Sequence, residues 1–252
     1  MFLWILAAFC AFFVKGLCGF ANTLVFDTIL GFGVNNVNIS PVELVLGYPT
    51  NVILTFKNRE KIDKNIVIPL IIVVIAGSLP GAFVLRYVNA NIVKMIFGVM
   101  VALVGIDMMY REYKPSAGKS HKLFDIVIGI LAGAMCGMFG VGVLLAAFVS
   151  KVTKTSTEFK ANLSLVFIAE NTFRLVTYIV LGVMTFDSLI KAICLAPVML
   201  FSLWLGMKCG DILDEKLIKK LVILFLIISG VAMIVNNLNG RFCNFSLQEY
   251  LK

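Results

Sequence analysis

Long apolar runs separated by short polar connectors dominate the chain. The first run covers residues 2–32 and carries a lysine, two glycines and an asparagine at its centre, between Lys15 and Asn22. About 20 apolar residues suffice for one helical crossing of a bilayer, and glycine weakens a helix. This run therefore predicts two half-helices that meet at a break. The run over residues 123–150 is interrupted in the same way, between residues 136 and 142.

Three uninterrupted apolar segments follow each broken run and predict ordinary transmembrane helices. Their approximate ranges are 41–56, 65–86 and 92–109 in the first half, and 157–181, 186–207 and 217–236 in the second. Pro41 is expected in the first turn of its helix, where proline is tolerated. The predicted domains are an N-terminal membrane repeat (1–110), a cytoplasmic connector (111–122), a C-terminal membrane repeat (123–236) and a polar tail (237–252).

The two halves also match residue by residue. The matched positions, at offsets of 120 or 121 residues, are Gly16 and Gly137, Gly19 and Gly140, and Asn51 and Asn171. A nearly constant offset indicates an internal duplication. Broken helices at matching places in two halves are typical of the binding site of a secondary transporter.

Basic residues are concentrated in the connectors. Four lie in each of 57–64, 111–122 and 208–220, and three lie in 151–160. Cytoplasmic connectors are enriched in Lys and Arg, so these connectors are expected on one side of the membrane. They share that side if each broken segment enters and returns, which makes the halves inverted repeats with both termini outside. A re-entrant hairpin and two very short crossings predict the same arrangement.

The composition agrees with an all-α integral membrane protein. Of 252 residues, 60% are hydrophobic and 14% are charged, and the mean hydropathy is +1.00, which exceeds what a soluble domain buries. The net charge of +8 does not indicate a nucleic-acid partner, because the basic residues lie in connectors rather than in a stripe or tail. Phosphate-binding glycine loops, His-Glu-x-x-His and Cys-x-x-Cys motifs are missing, so neither ATP hydrolysis nor a metal or other cofactor is expected.

The six cysteines are scattered, mostly within apolar runs, and are expected to be free packing residues. Cys18 and Cys136 lie at the predicted breaks. A thiol that acts on a sulfur-containing substrate therefore stays open.

The broken segments supply backbone groups that suit an anion. A helix that resumes after a glycine break presents its positive N-terminal end, and Lys15 adds a full positive charge beside the first break. The same glycines could instead serve only close helix packing, with Lys15 extending to the membrane interface. We predict a substrate-binding site formed by Lys15, Gly16, Gly19, Asn22, Asn51, Gly137, Gly140, Gly142, Asn171 and Arg174.

Charged residues inside predicted helices are candidates for coupling transport to an ion gradient. Glu170 and Arg174 are four residues apart, so the carboxylate is expected to neutralise part of the guanidinium charge; a purely structural pair is the alternative. Arg174 could also bind an oxyanion through its planar fork. Asp27 and Glu170 are the ion-coupling candidates, although Asp27 could equally be interfacial. The carboxylates near predicted helix ends are expected at the membrane interface: Glu43, Asp107, Asp125 and Asp187.

The layout as a whole resembles a known family. It carries Gly-Leu-Cys-Gly-Phe at residues 16–20, then Pro41 and Asn51, a basic connector, Gly81, and a second glycine-rich break over residues 137–142. This arrangement, over residues 2–236, is similar to the TauE/SafE family of sulfite exporter-like permeases. The resemblance implies transport of sulfite, a sulfonate, sulfoacetate or a related organic anion across the inner membrane, driven by an ion gradient.

We therefore expect a multi-pass protein of a bacterial-type cytoplasmic membrane that carries a small, sulfur-containing anion by alternating access. The expected fold is two inverted repeats, each a broken or re-entrant first segment followed by three transmembrane helices. The expected partners are the anion, the lipid bilayer and a coupling proton or sodium ion, and enzymatic activity is not expected. Two other classes stay open: an anion channel or a lipid-handling membrane protein without a carrier cycle, and a membrane-embedded thiol enzyme.

Overall fold

The computed structural model describes residues 1–30, 36–87 and 142–214 without interruption, and isolated residues between 99 and 109 and between 217 and 235. Regular structure in this part of the chain is entirely helical, as the composition predicts. The helices are α1 (Phe2–Cys18), α2 (Asn22–Leu30), α3 (Asn36–Lys57), a short 3-10 helix (Arg59–Lys61), α4 (Lys64–Tyr87), α5 (Val143–Val152), α6 (Ser156–Val180) and α7 (Phe186–Ile212).

Three of the described helices are long and apolar enough to cross a membrane. The spans are Ile39–Lys57 in α3, Ser156–Val180 in α6 and Phe186–Ile212 in α7. The predicted connector 111–122 and the tail 237–252 lie outside the described residues, and the predicted helices 92–109 and 217–236 are described only at isolated positions.

Two predicted helix boundaries are wrong. α3 begins at Asn36, so Pro41 lies inside the helix rather than in its first turn, where it removes one backbone hydrogen bond. α7 continues to Ile212, five residues beyond its predicted end at 207, because Lys208 and Asp211 lie on partly exposed positions that a helix tolerates at its end.

The first apolar run is broken where the sequence predicts. α1 ends at Cys18, Gly19 takes the left-handed conformation with φ of 89°, and its N–H donates to the Lys15 carbonyl at 2.6 Å. Ala21 also has a positive φ, 71°, and α2 starts at the next residue, Asn22. A left-handed alanine costs roughly 1–2 kcal/mol, so the surrounding packing must hold the break in place.

α2 folds back along α1. Phe26 on α2 contacts two α1 rings, with centroid distances of 5.9 Å to Trp4 and 6.4 Å to Phe12. The nine residues of α2 rise about 14 Å, roughly half of a bilayer's hydrocarbon core. α2 therefore packs back against α1 over part of its length.

α1 and α7 cross with their backbones in contact. A Cβ atom added to Gly206 on α7 would lie 2.2 Å from the carbonyl oxygen of Phe13, and one added to Gly16 on α1 would lie 2.5 Å from that of Leu203. Small residues allow such close approach between membrane helices. Close packing, one of the two interpretations of the break glycines, therefore applies to Gly16.

One end of the bundle, where α3 and α7 end and α6 begins, is called the basic end. Lys57 Nζ at the end of α3 lies 2.8 Å from Asp211 Oδ2 at the end of α7. The Asp63 N–H, after α3, donates to Asn162 Oδ1 in the first turns of α6 at 2.8 Å. α3 therefore runs toward the basic end and α6 runs away from it.

Candidate functional site

A small cavity of about 20 Å³ lies where the α1–α2 break faces the middle of α3, the middle of α6 and the N-terminus of α5. A cavity of this size has room for about one water molecule. The predicted site residues in its lining are Lys15, Asn22, Asn51, Gly142 and Asn171, together with the coupling candidate Glu170.

Lys15 is the cation that faces this cavity. It lies in the last turn of α1 with 1% of its surface exposed, so the interpretation that it reaches the membrane interface is wrong. Nζ donates to the Gly47 carbonyl on α3 at 3.3 Å, and that carbonyl also accepts from Thr50 Oγ1 at 2.6 Å. Because an ammonium group has three N–H donors, two remain without an acceptor among the described residues.

The Glu43 side chain is buried in the protein interior, so the expectation that it lies at the membrane interface is wrong. Only 3% of it is exposed. Its Oε1 accepts hydrogen bonds from the Asn22 amide and, at 2.9 Å, from Thr23 Oγ1, both at the start of α2. Because α3 begins upstream of the predicted start, Glu43 lies well inside the helix and reaches the α1–α2 break.

Arg174 forms an ion pair with Glu43 on α3. Its NH2 group lies 3.2 Å from Glu43 Oε2, and both side chains are buried. The guanidinium also lies over the ring of Tyr178, 5.4 Å from the centroid. The Glu170 carboxylate acts on the Arg174 charge electrostatically, as the spacing within α6 predicts, but the ion pair itself is made between helices. Arg174 lies behind the cavity rather than in its lining.

Two buried oxygens at the cavity have no hydrogen-bond partner in the described part of the chain. They are Glu170 Oε1 on α6 and Asn51 Oδ1 on α3, in residues that are 2% and 1% exposed. A buried polar atom without a partner is costly, so such atoms usually face a water, an ion or a ligand. The cavity therefore offers a cation with free donors and two free acceptors.

The remaining predicted site residues lie elsewhere. Gly16 is at the α1–α7 crossing, and Gly19 lies against Lys160, whose Cγ would be 2.8 Å from a Cβ at position 19. Asp27, on α2, is not part of the cavity lining. Gly137 and Gly140 lie outside the described residues, although Gly142 is the N-cap of α5 and borders the cavity.

The predicted site left out six lining residues: Phe20, Ala21, Thr23, Leu24, Glu43 and Phe167. A signal for one of them was available, because Glu43 is the single acidic residue of α3 and an ionisable residue within an apolar span is a functional candidate by default. Phe167 packs on the Gly142 backbone, where an added Cβ would lie 2.1 Å from Cε1. No spacing in the sequence indicates that contact.

The described cysteines are free: Cys10, Cys18, Cys194 and Cys209. Cys18, the thiol nearest the first break, packs in a hydrophobic core cluster with Val14 and Leu17. Among the described residues, no group of three or more His, Cys, Asp or Glu side chains is placed to hold a metal ion.

The family model described as sulfite exporter TauE/SafE matches residues 4–233 of the chain. No curated protein and no solved structure matches the chain.

Proposed function

The chain belongs to the sulfite exporter TauE/SafE family of multi-pass membrane transporters, and from this premise we propose that it carries a small sulfur-containing anion by alternating access. Transport across the cytoplasmic membrane is the function of the family, and the apolar helices agree with it. The identity of the anion, the residues that bind it and the carrier cycle are the proposal. Sulfite, a sulfonate and sulfoacetate are the candidate substrates.

The buried ammonium of Lys15 carries this proposal. A charged group in the interior of a membrane protein is costly and is retained where it serves a substrate or ion path. Lys15 has one long hydrogen bond to the Gly47 carbonyl and faces the cavity at the helix break. An oxyanion would complete its hydrogen bonds once the cavity, which now has room for about one water molecule, widens to admit it. The amides of Asn51 and Asn171 and the N-terminus of α5 line the same space.

The charge balance of the site supports coupling through Glu170. Lys15 and Arg174 contribute two positive charges, and Glu43 and Glu170 contribute two negative charges when both are ionised. Arg174 and Glu43 are already paired, so a proton on Glu170 leaves Lys15 free to balance an anion. We propose that Glu170 takes up a proton when the anion binds. A sodium ion on Glu170 Oε1 and Asn51 Oδ1 would have the same electrical effect.

The proposed architecture is an inverted repeat. Its support is that α3 and α6, the corresponding helices of the two halves, run in opposite directions relative to the basic end. A re-entrant first segment is supported by the way α2 folds back along α1, with Phe26 against Trp4. In such transporters, one half rocks against the other around a site near the bilayer midplane.

The cavities of the described residues favour a carrier over an open channel. The central cavity holds about 20 Å³, whereas cavities of about 220 Å³ lie at the basic end and at the opposite end, next to Pro41 and Lys191. A narrow centre with wider spaces toward the two ends agrees with an occluded carrier, and the path between these spaces is part of the proposal.

Uptake by proteoliposomes tests the proposal. Radiolabelled sulfite, sulfoacetate and taurine would be offered with and without a proton gradient, and again with a sodium gradient. Saturable uptake of one of them that is driven by a gradient is expected. Conductance without saturation would indicate a channel, and chemical conversion of the anion that depends on Cys18 would indicate a thiol enzyme. Absence of uptake for every anion would overturn the proposal.

A further inference from the structure

The cavity at the basic end has the features of a second anion site. It holds about 220 Å³ and is lined in part by Lys57, Ser156, Thr157, Lys160 and Asp211. We propose that this space, the vestibule, binds the same small oxyanion before or after it reaches Lys15, with Lys160 as its main cation. The inference rests on the proposed function for the identity of the anion, and the site itself rests on the geometry that follows.

Lys160 is a buried cation with few hydrogen-bond partners among the described residues. It lies in the second turn of α6 with 8% of its surface exposed. Its one hydrogen bond among the described residues runs from Nζ to the Gly16 carbonyl at 3.5 Å, the outer limit for such a bond. Its stem packs over Gly19, and Nζ would lie 3.0 Å from a Cβ at Gly210. The ammonium therefore lies at the vestibule wall, and two of its three N–H donors have no acceptor among the described residues.

The start of α6 adds backbone donors next to this ammonium. Thr155 is the N-cap, and its side chain accepts from the Glu158 N–H at 3.2 Å. The N–H groups of Ser156 and Thr157 have no acceptor among the described residues, and both residues line the vestibule. The positive end of a 25-residue helix and a buried ammonium thus face one space.

An ion pair stands at the mouth of the vestibule. Lys57 Nζ and Asp211 Oδ2 are 2.8 Å apart, and their side chains are 40% and 57% exposed. An exposed pair of this kind contributes little to stability, so it can open at small cost. With Lys160 included, these three charged residues of the vestibule carry one net positive charge. Lys57 can exchange its bond to Asp211 for one to an arriving anion.

The vestibule and the central cavity both border the last turn of α1. Gly16 lines the vestibule and its carbonyl accepts from Lys160, whereas the preceding residue, Lys15, faces the central cavity. Two buried lysines thus lie beside the same turn of α1, one at each cavity.

Transport from each face separately tests the inference. Right-side-out and inverted membrane vesicles would be supplied with radiolabelled sulfite. Lys160→Gln should raise the KM for sulfite about tenfold or more at the face that carries the basic end, because a hydrogen bond to a charged group is lost. The KM at the other face should stay within about twofold of the value for the unmodified protein. Such a normal value would show that the variant is folded. Asp211→Asn should lower the KM at the first face, because it frees Lys57.

The matched control is Lys154→Gln, which removes an exposed positive charge of the same connector outside the vestibule lining. It should leave the KM at both faces unchanged. Lys160→Met keeps the apolar stem over Gly19 and should repeat the effect of Lys160→Gln if the latter fails to fold. A KM change of equal size at both faces, no change at either, or effects of Lys160→Gln and Asp211→Asn on different faces would overturn the inference.

Equilibrium binding of sulfite to the purified protein in lipid nanodiscs separates this inference from the proposed function. The expected result is two sites, of which Lys160→Gln removes one and Lys15→Gln the other. If vesicles transport no sulfite but binding depends on Lys160, the vestibule stands and the proposed function fails. If transport is intact and binding is independent of Lys160, only the vestibule fails, and absence of binding overturns both.

Discussion

The carboxylate of Glu43 on α3 and the guanidinium of Arg174 on α6 form a buried ion pair at 3.2 Å, across 131 residues of sequence. The pair joins the two halves of the chain directly behind the central cavity. Glu43 is also the acceptor for two donors at the start of α2, so the same carboxylate holds the α1–α2 break. One residue thus fixes both the contact between halves and the position of the break.

Loss of one partner of this pair should destabilise the protein strongly. Arg174→Gln leaves the Glu43 carboxylate buried without its cation, which typically costs 3–5 kcal/mol. A large drop in the thermal unfolding temperature of the detergent-solubilised protein is expected. The double variant Glu43→Gln with Arg174→Gln should recover part of the loss, because no charge is then left unpaired. A double variant as unstable as the sum of both single variants would contradict this account.

Removal of the Lys15 charge should strongly impair saturable transport with little effect on folding. Lys15→Gln keeps a donor for the Gly47 carbonyl but cannot balance an anion in the cavity. At least a tenfold fall in kcat/KM for the best substrate is expected, which corresponds to about 1.4 kcal/mol. The exposed Lys64→Gln, which removes the same charge at the start of α4, is the control. Full uptake by Lys15→Gln would remove this residue from the site.

Neutralisation of Glu170 should uncouple transport from the ion gradient. Glu170→Gln mimics the protonated carboxyl, so the variant is expected to exchange labelled for unlabelled substrate across the membrane while no longer accumulating it. Accumulation ratios in proteoliposomes with an imposed proton or sodium gradient measure the effect. Asp27→Asn is the comparison, since Asp27 is the other predicted coupling residue and lies outside the cavity lining. Gradient-driven accumulation by Glu170→Gln at the normal ratio would refute the assignment.

Alanine at Gly19 should cost more than alanine at Gly182. Both glycines have a positive φ, 89° and 68°, so each substitution pays the backbone strain of roughly 1–2 kcal/mol. Only at Gly19 does the new Cβ meet a neighbour, 2.8 Å from Lys160 Cγ, whereas nothing lies within 4 Å at Gly182. Thermal unfolding of the two variants compares them directly. Equal destabilisation of the two variants would show that the Lys160 side chain moves away from the new Cβ at no cost in free energy.

The sequence was sufficient to locate the first break, because two glycines, a lysine and an asparagine in an overlong apolar run are a local signal. It also identified most of the described polar residues around the central cavity. Glu43 was misplaced because its position depends on where α3 begins, and Pro41 suggested a later start. The spacing within α6 indicates the electrostatic effect of Glu170 on Arg174, but it cannot identify Glu43, the ion-pair partner on another helix.

Backbone contacts between helices that are far apart in the sequence could not be predicted from the sequence either. The role of Gly206 at the α1–α7 crossing depends on the Phe13 carbonyl of another helix, which no pattern around Gly206 indicates. Before the structure, Lys160 is only one of the three basic residues of the connector 151–160. Its burial against Gly19 follows from the direction in which α6 leaves the basic end, which no local pattern in the sequence specifies.

The crossing of α1 and α7 also constrains the approach to the break. A side chain at Gly206 or at Gly16 would overlap the backbone of the facing helix, so a glycine at each position is a steric requirement of this crossing. The crossing lies only one turn before Gly19, at the same end of α1 as the left-handed residues Gly19 and Ala21. The helix that leads into the break is therefore seated on α7, a helix of the other half of the chain, immediately before the backbone changes direction.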